Sequence, residues 1–437
     1  MDEFQFRPSF VQLSALSSFN GEVRVPGSKS ITNRAFLIAA LSRGTTRLHN
    51  LLKSDDTRYM GEALRKLGVK IEFNEDFSEA VVEGIASPIS VKEPVDIFLG
   101  NAGTAMRSLT AVLTLGHGEF HLRGEERMSE RPIRDLVDAL RSLGAEIEYE
   151  ESDGFPPVCI KAHGLRGGNV KVRGNISSQY LTALLICAPY CESPLSIEVE
   201  GDLISSPYIE LTMNVMKRFG VEASAYIGLP LRFDVPKCVY NSPGDFTVEG
   251  DASSASYPLA AAALSHGKVR VLGVGSESCQ GDIAFANVLE AMGAKITWGP
   301  DFIECEGPAG KLRSLGHFNA IEIPDAAMTI AILALFADGP TTIEGIGSWR
   351  VKETDRIAAM AAELRKVGAE VRESTDFICV IPPKQLQPAT IETYNDHRMA
   401  MCFSLVALGG VPIKIMDPAC VNKTYPHFYE DFNRLSK

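Results

Sequence analysis

The 437-residue chain is 45% hydrophobic, enough for a large buried core split over two or three domains. Its 43 Lys and Arg stand against 55 Asp and Glu, and the net charge of -12 excludes a broad nucleic-acid surface, because binding a phosphate backbone depends on an excess of cations. The longest apolar run, Ala326–Ala337, is shorter than the roughly 18–20 residues that cross a bilayer, residues 1–20 lack the layout of a signal peptide, and the nine cysteines include no C-x-x-C pair, so a cytoplasmic protein with reduced thiols and neither zinc site nor disulfide framework is expected.

The first informative stretch is Pro26-Gly27-Ser28-Lys29-Ser30-Ile31-Thr32-Asn33-Arg34. Val23 and Val25 alternate with polar residues as a strand does, Pro26-Gly27 ends it, and Ser28 or Ser30 can cap the apolar helix that follows. A helix N-terminus carries about half a positive charge on unpaired N–H groups, and Lys29 and Arg34 add to it, so the turn attracts an anion. It is not a nucleotide P-loop, because Ser28 separates the glycine from Lys29.

Similar helix-opening turns occur at Gly27, Gly100, Gly174, Gly250, Pro324 and Tyr394, at intervals of 73, 74, 76, 74 and 70 residues, which marks an internal repeat. The strands expected before them are Glu22–Val25, Asp96–Leu99, Val170–Arg173, Phe246–Glu249, Ala320–Ile323 and Thr390–Thr393. A small-residue helix follows each turn, then a second strand, then an amphipathic helix whose apolar face shows in Met60, Leu64, Leu67 and in Leu136, Leu140, Leu143. Most of those helices end in a capping glycine: Gly68, Gly144, Gly220, Gly293 and Gly368. The repeat is thus β-α-β-α-β-β, and the sixth copy stops after its second helix. Residues 1–20 are expected to complete it. The domains expected are 1–25 with 245–437, discontinuous and holding repeats 4–6, and 26–244, continuous and holding repeats 1–3, with helix N-termini converging on a cleft between them.

The turns differ in their chemistry. Leu99-Gly100-Asn101-Ala102-Gly103-Thr104 lets an oxyanion approach backbone N–H groups, and Arg131 precedes a helix-starting proline, suited to a bidentate grip on carboxylate or phosphate. Ser177, Ser178 and Gln179 offer hydroxyls and an amide, and Ser205-Ser206-Pro207-Tyr208 repeats that chemistry; either set would also serve as a plain cap. Gly250–Ser256 has an acidic cap and no neighbouring cation, and a structural role is expected. Asp325 stands at a helix start, and Arg350-Val351-Lys352-Glu353-Thr354-Asp355-Arg356 mixes cations with acids, as a site that gives and takes protons requires. In the sixth turn Arg398 points from an apolar helix, with Lys423 one element later; His397 has no second His or Cys at ligand spacing and is expected to be a hydrogen-bonding residue.

Jointly, Gly27–Arg34, Leu99–Arg107, Ser177–Gln179, Gly250–Ser256, Pro324–Ala327, Arg350–Arg356 and Tyr394–Met399 resemble the EPSP synthase (3-phosphoshikimate 1-carboxyvinyltransferase) family over essentially the whole chain. The resemblance implies an α/β protein, a two-domain inside-out α/β barrel of six β-α-β-α-β-β repeats, three per domain, closing on its substrates. It implies transfer of the enolpyruvyl group of phosphoenolpyruvate to the 5-hydroxyl of shikimate 3-phosphate, with release of phosphate through a tetrahedral intermediate, and without metal or cofactor. By motif, Lys29, Ser30, Arg34, Ser177, Ser178, Gln179, Ser205, Asp325 and Lys352 would contact shikimate 3-phosphate. Lys29, Gly103, Arg131, Gln179, Arg356, Arg398 and Lys423 would hold phosphoenolpyruvate, with Asn101 and Tyr208 nearby. Glu353 is implied as proton donor and Asp325 as base, with Lys29 near both. Only the two small-molecule substrates are implied as partners, no nucleic acid or membrane, and a monomer is expected.

Two positions depart from the family pattern: Ser348 replaces the usual asparagine and Ser108 a common proline. Gly103 keeps the form associated with sensitivity to glyphosate. The related enolpyruvyl transferase acting on UDP-N-acetylglucosamine uses a loop cysteine, and Arg123–Arg134 contains none. A non-catalytic repeat scaffold that binds anions would have no need of Asp325 and Glu353 beside the cations.

Overall fold

Gly68, Gly144, Gly220, Gly293 and Gly368 all have φ between 80° and 109°, the left-handed conformation that closes a helix at its C-terminal end. They mark the joints of a computed structural model that describes residues 8–437. The expectation for residues 1–20 falls partly on residues 1–7, which lie outside the described residues.

The described strands form six sheets, five of four strands and one of three. The second repeat shows the pattern. Val95–Phe98 lies parallel to His117–Arg123, which pairs antiparallel with Val158–His163, which pairs antiparallel with Glu146–Tyr149. Parallel neighbours need a crossover, and the helix Gly103–Leu113 supplies it. Every residue of that helix is buried, as is every residue of Ala252–Leu264, Ala327–Leu333 and His397–Ser404. A helix apolar all round belongs in a core, whereas Arg134–Ser142 buries only Leu136, Val137, Ala139 and Leu140. The strands alternate buried with exposed residues and cover the inner helices with one face. Helices fill the core and sheets surround it, which is the inside-out arrangement of the α/β class.

The chain divides into two units, one running to Pro26 and resuming from Glu249 to Lys437, the other from Gly27 to Val248. The division follows an exchange of strands. Gly21–Arg24, ahead of the first turn, pairs parallel with Lys268–Leu272 of the fourth repeat. In return Asp245–Thr247, ahead of the fourth turn, pairs parallel with Arg43–His49 of the first. In the sixth repeat Phe10–Leu13 pairs antiparallel with Ile413–Met416 and occupies the place of the missing closing strand.

One expected strand is displaced. Ile321-Glu322-Ile323 alternates as a strand would, yet the strand of the fifth repeat is Gly316–Asn319, in register with Thr341–Glu344. The Asn319 side chain accepts from the Ile321 N–H and the Ile323 N–H bonds the Ala320 carbonyl, so Ala320–Pro324 is a turn. No helix of the described residues is long and apolar enough to cross a membrane.

His49 clips the exchanged strand in place: Nε2 lies 2.9 Å from Asp245 Oδ1 and Nδ1 lies 3.0 Å from Glu79 Oε1. Hydrogen bonds to Asp245 and Glu79 raise the imidazole above its ordinary value. A raised folded value means a stabilisation fully present below about pH 6.5 and lost as pH rises through the raised value. The difference in thermal midpoint between the parent and His49→Gln is therefore expected to be largest below about pH 6.5 and to shrink as pH rises above it; a constant difference would show that the imidazole charge does not matter there.

Candidate active site

In the discontinuous unit the three inner helices begin with Asp251-Ala252-Ser253, Asp325-Ala326-Ala327 and Asp396-His397-Arg398. Two guanidiniums tie these starts together. Arg398 Nη2 donates to Asp325 Oδ2 at 2.8 Å and to Ser253 Oγ at 3.0 Å, while Nη1 donates to the Tyr257 hydroxyl at 3.2 Å. Arg356 is 1% exposed and donates from Nε to Asp396 Oδ2 at 2.7 Å, from Nη1 to Asp325 Oδ1 at 3.1 Å and from Nη2 to Glu353 Oε2 at 2.9 Å. Lys352 Nζ lies 3.8 Å from Asp325 Oδ1, and Lys423 Nζ 3.9 Å from Glu353 Oε1. Four cations, Lys352, Arg356, Arg398 and Lys423, thus meet three carboxylates, Asp325, Glu353 and Asp396.

Local structure sets this geometry. The buried Trp349 donates its indole N–H to the Pro324 carbonyl at 2.8 Å, which locks the 3-10 turn Gly347–Val351 against the Asp325 turn and delivers Lys352 and Glu353 beside it. Asp282 Oδ1 accepts from the Ala326 N–H. Arg356 then opens its own helix behind an Asp355 cap. Burial alone would push the Asp325 carboxyl up, but Arg398, Lys352 and Arg356 outweigh it and hold the group well below the usual carboxylate range. The three carboxylates in turn raise the Arg356 guanidinium against its own burial.

The cluster repeats a spacing. Arg398 and Asp325 are 73 residues apart, as are the mutually bonded Ser256 and Thr329, and Thr329 and Cys402. Contacts between the inner helices of consecutive repeats thus recur at one sequence separation.

In the continuous unit Ser28 caps the first inner helix, Lys29–Leu41, by accepting from the Ile31 N–H. Lys29 Nζ lies 3.7 Å from Asp56 Oδ2. The Ser30 carbonyl accepts from Arg34 Nη1, whose guanidinium also donates to Thr212 Oγ1 at 2.8 Å and Thr182 Oγ1 at 3.1 Å. Arg34 is thus buried, contrary to the outward cation the turn predicts, because position six of this helix faces Thr182 on the inner helix Ser178–Cys187 and Thr212 on the helix Pro207–Arg218. Ser177 caps Ser178–Cys187 by accepting from the Gln179 N–H, and Ser205 is a buried non-glycine at φ 55°. Arg131 Nη1 donates to the Asn101 carbonyl at 3.0 Å and to its Oδ1 at 2.8 Å. The Pro132 carbonyl accepts from Arg107 Nη2 and the Tyr180 hydroxyl, linking the second and third inner helices. The helix Gly103–Leu113 has no side-chain cap, and a Cβ on Gly103 would lie 2.5 Å from Arg131 Nη2.

Several expectations need correction. Gly250–Ser256 does meet a cation, since Arg398 reaches Ser253 from 145 residues away. Arg350 turns aside to Asp355 and the Ser374 carbonyl, so only Lys352, Glu353 and Arg356 of that run join the cluster. Arg398 is buried rather than projecting, and His397 Nδ1 lies 3.4 Å from Asp396 Oδ1. Asp396, Tyr257 and Asp56 were not anticipated as site residues. An acid at a helix start reads as a cap, which Asp396 also is, accepting from the Arg398 N–H.

Helix starts gathered around buried, carboxylate-matched guanidiniums define an α/β repeat enzyme built to hold small polyanions. The family model described as EPSP synthase (3-phosphoshikimate 1-carboxyvinyltransferase) matches residues 13–432, and the chain belongs to that family. It is 56% identical over 429 residues to a 3-phosphoshikimate 1-carboxyvinyltransferase of Aeromonas salmonicida (strain A449), covering 98% of this chain and 99% of that one. It is 55% identical over 425 residues to the protein of the same name from Serratia proteamaculans (strain 568), covering 97% and 98%. A solved EPSP synthase from Acinetobacter baumannii superposes with a TM-score of 0.80 at 26% identity, covering 98% of each chain.

Proposed function

We propose that this chain catalyses the reaction its relatives are named for, moving the carboxyvinyl group of phosphoenolpyruvate to the 5-hydroxyl of shikimate 3-phosphate in aromatic amino-acid biosynthesis. The observation that carries the reading is Asp325 gripped by both Arg356 and Arg398, a base candidate held beside anion-binding groups. The two substrates bring two phosphates and two carboxylates, and burying them unpaired would cost several kcal/mol each. Lys29, Gly103, Arg131, Gln179, Arg356, Arg398 and Lys423 are assigned to phosphoenolpyruvate. Lys29, Ser30, Ser177, Ser178, Gln179, Ser205, Asp325 and Lys352 are assigned to shikimate 3-phosphate, with Arg34 as the positioning residue behind Ser30.

In the free protein Asp325 is a poor base, because Arg398, Lys352 and Arg356 stabilise its charge. An arriving anion competes for the two guanidiniums. As they turn to it, Asp325 loses its counter-ions and gains proton affinity, ready to take the proton of the 5-hydroxyl. Glu353, bonded to Arg356 at 2.9 Å, is assigned to protonate the methylene carbon as the 5-oxygen bonds the adjacent carbon; the methyl group so formed then returns a proton to Glu353 as the bond to phosphate breaks, restoring the double bond and releasing phosphate.

Phosphate release by the purified protein tests the reading. Release with phosphoenolpyruvate and shikimate 3-phosphate, and none when UDP-N-acetylglucosamine replaces the latter, is expected; the reverse pattern would overturn it. A second test concerns Gly103. The added Cβ of Gly103→Ala meets the far end of the Arg131 side chain, which can move, so the fold should survive while the grip on phosphoenolpyruvate shifts. The KM for phosphoenolpyruvate is expected to rise roughly 10- to 100-fold, with greater tolerance of glyphosate. Unchanged values for both would remove Arg131 and Gly103 from that subsite.

A further inference from the structure

The sheet of the second repeat carries a group of side chains that the reaction does not use. Phe120 and Leu122 of His117–Arg123 are buried against the core, so Glu119 and His121 stand on the opposite face, two residues apart. In the antiparallel register His121 lies directly across from Cys159 of the neighbouring strand. One ligand atom each from Glu119, His121 and Cys159 falls within 4.8 Å of the others.

The imidazole is held from behind. Glu150 Oε1 lies 2.6 Å from His121 Nδ1, and Glu119 Oε1 lies 3.0 Å from Nε2. A carboxylate on one ring nitrogen keeps the proton there, aims the other nitrogen and raises its basicity, the partnership found behind metal-bound histidines. Donor atoms around a tetrahedral zinc ion sit roughly 3.5 Å apart given bonds of about 2.0–2.3 Å, so the three side chains need close in only slightly. Lys161, the cation on the same face, is engaged by Glu148 at 2.8 Å and Glu146 at 3.7 Å.

We propose that Glu119, His121 and Cys159 form a binding site for a divalent ion of the zinc type, with Glu150 orienting the imidazole and a fourth position open to water. A carboxylate, an imidazole and a thiol together suit zinc or cobalt rather than magnesium or calcium. The site is separate from the cations assigned to the substrates. Sequence spacing conceals it, because the ligands come from two strands and form no C-x-x-C or histidine pair.

The test is titration of the metal-stripped full-length protein with Co²⁺ and then Zn²⁺. The expected result is one equivalent of Co²⁺ showing thiolate-to-cobalt charge-transfer absorption, displaced by Zn²⁺ and abolished in Cys159→Ser. His121→Gln and Glu150→Gln, which keep the strand surface, are expected to weaken binding about 10- to 100-fold. Circular dichroism of each variant confirms folding; should Cys159→Ser fail to fold, the His121 and Glu150 variants decide. Absence of a stoichiometric site, or affinity unchanged in His121→Gln and Glu150→Gln, would overturn the proposal, the latter by assigning the metal to another of the nine thiols.

Discussion

Asp325→Asn is expected to lower kcat by roughly 10²- to 10⁴-fold, the range lost when a positioned general base is removed. The amide is nearly the same shape and can still accept a hydrogen bond, so the turn held by Trp349 and Asp282 should persist. It no longer competes as an anion for Arg356 and Arg398. Affinity for phosphoenolpyruvate or inorganic phosphate is therefore expected to hold or tighten while turnover collapses, and steady-state kinetics with a phosphate-binding measurement separates the two quantities. Near-normal turnover in Asp325→Asn or Asp325→Ala would take this carboxylate out of the mechanism.

Arg356→Ala should have the largest effect on folding. The guanidinium is the common partner of Asp325, Glu353 and Asp396, and Asp396 is fully buried. Breaking a buried pair leaves uncompensated charge and costs about 3–5 kcal/mol, and here three acids lose one cation. A marked fall in the denaturation midpoint is expected together with loss of binding to phosphoenolpyruvate. Arg356→Lys keeps the charge but not the planar fork that spans three carboxylates, so it should recover part of the midpoint and little of the activity. A midpoint unchanged in Arg356→Ala would show the ion network to be energetically neutral. Restoring activity with lysine would reduce the role of the fork to simple charge.

How far the residues alone foretold this can be judged at single positions. The repeat was legible because each turn carries local signals, a strand end, a glycine or proline and a capped small-residue helix, and because the capping glycines must take positive φ. Ile321–Ile323 misled because alternation is only half of a strand; the other half is a partner, and Thr341–Glu344 is already paired with Gly316–Asn319. Arg356 and Arg398 could be picked out as cations near helix starts, but their burial depends on helices that meet them from elsewhere. Tyr257 is 141 residues from Arg398, and nothing in its own neighbourhood announces the contact. Asp396 was hidden by its second role, since a helix cap needs no further explanation.

The exchange of first strands has a consequence for how the chain emerges from a ribosome. Every strand pairing of the unit Gly27–Val248 is available once Thr247 has been made. Gly21–Arg24, synthesised earlier, must wait for Val269–Leu272, and Phe10–Leu13 must wait for Ile413–Met416, some 400 residues later. At about 5–20 residues per second that delay is roughly 20–80 s. The usual order of vectorial folding is altered here: the unit Gly27–Val248 can settle first, and Gly21–Arg24 and Phe10–Leu13, though they precede it in the chain, wait longest for their neighbours. Both waiting strands are only four residues long, which limits the sticky edge they expose to other nascent chains in the interval.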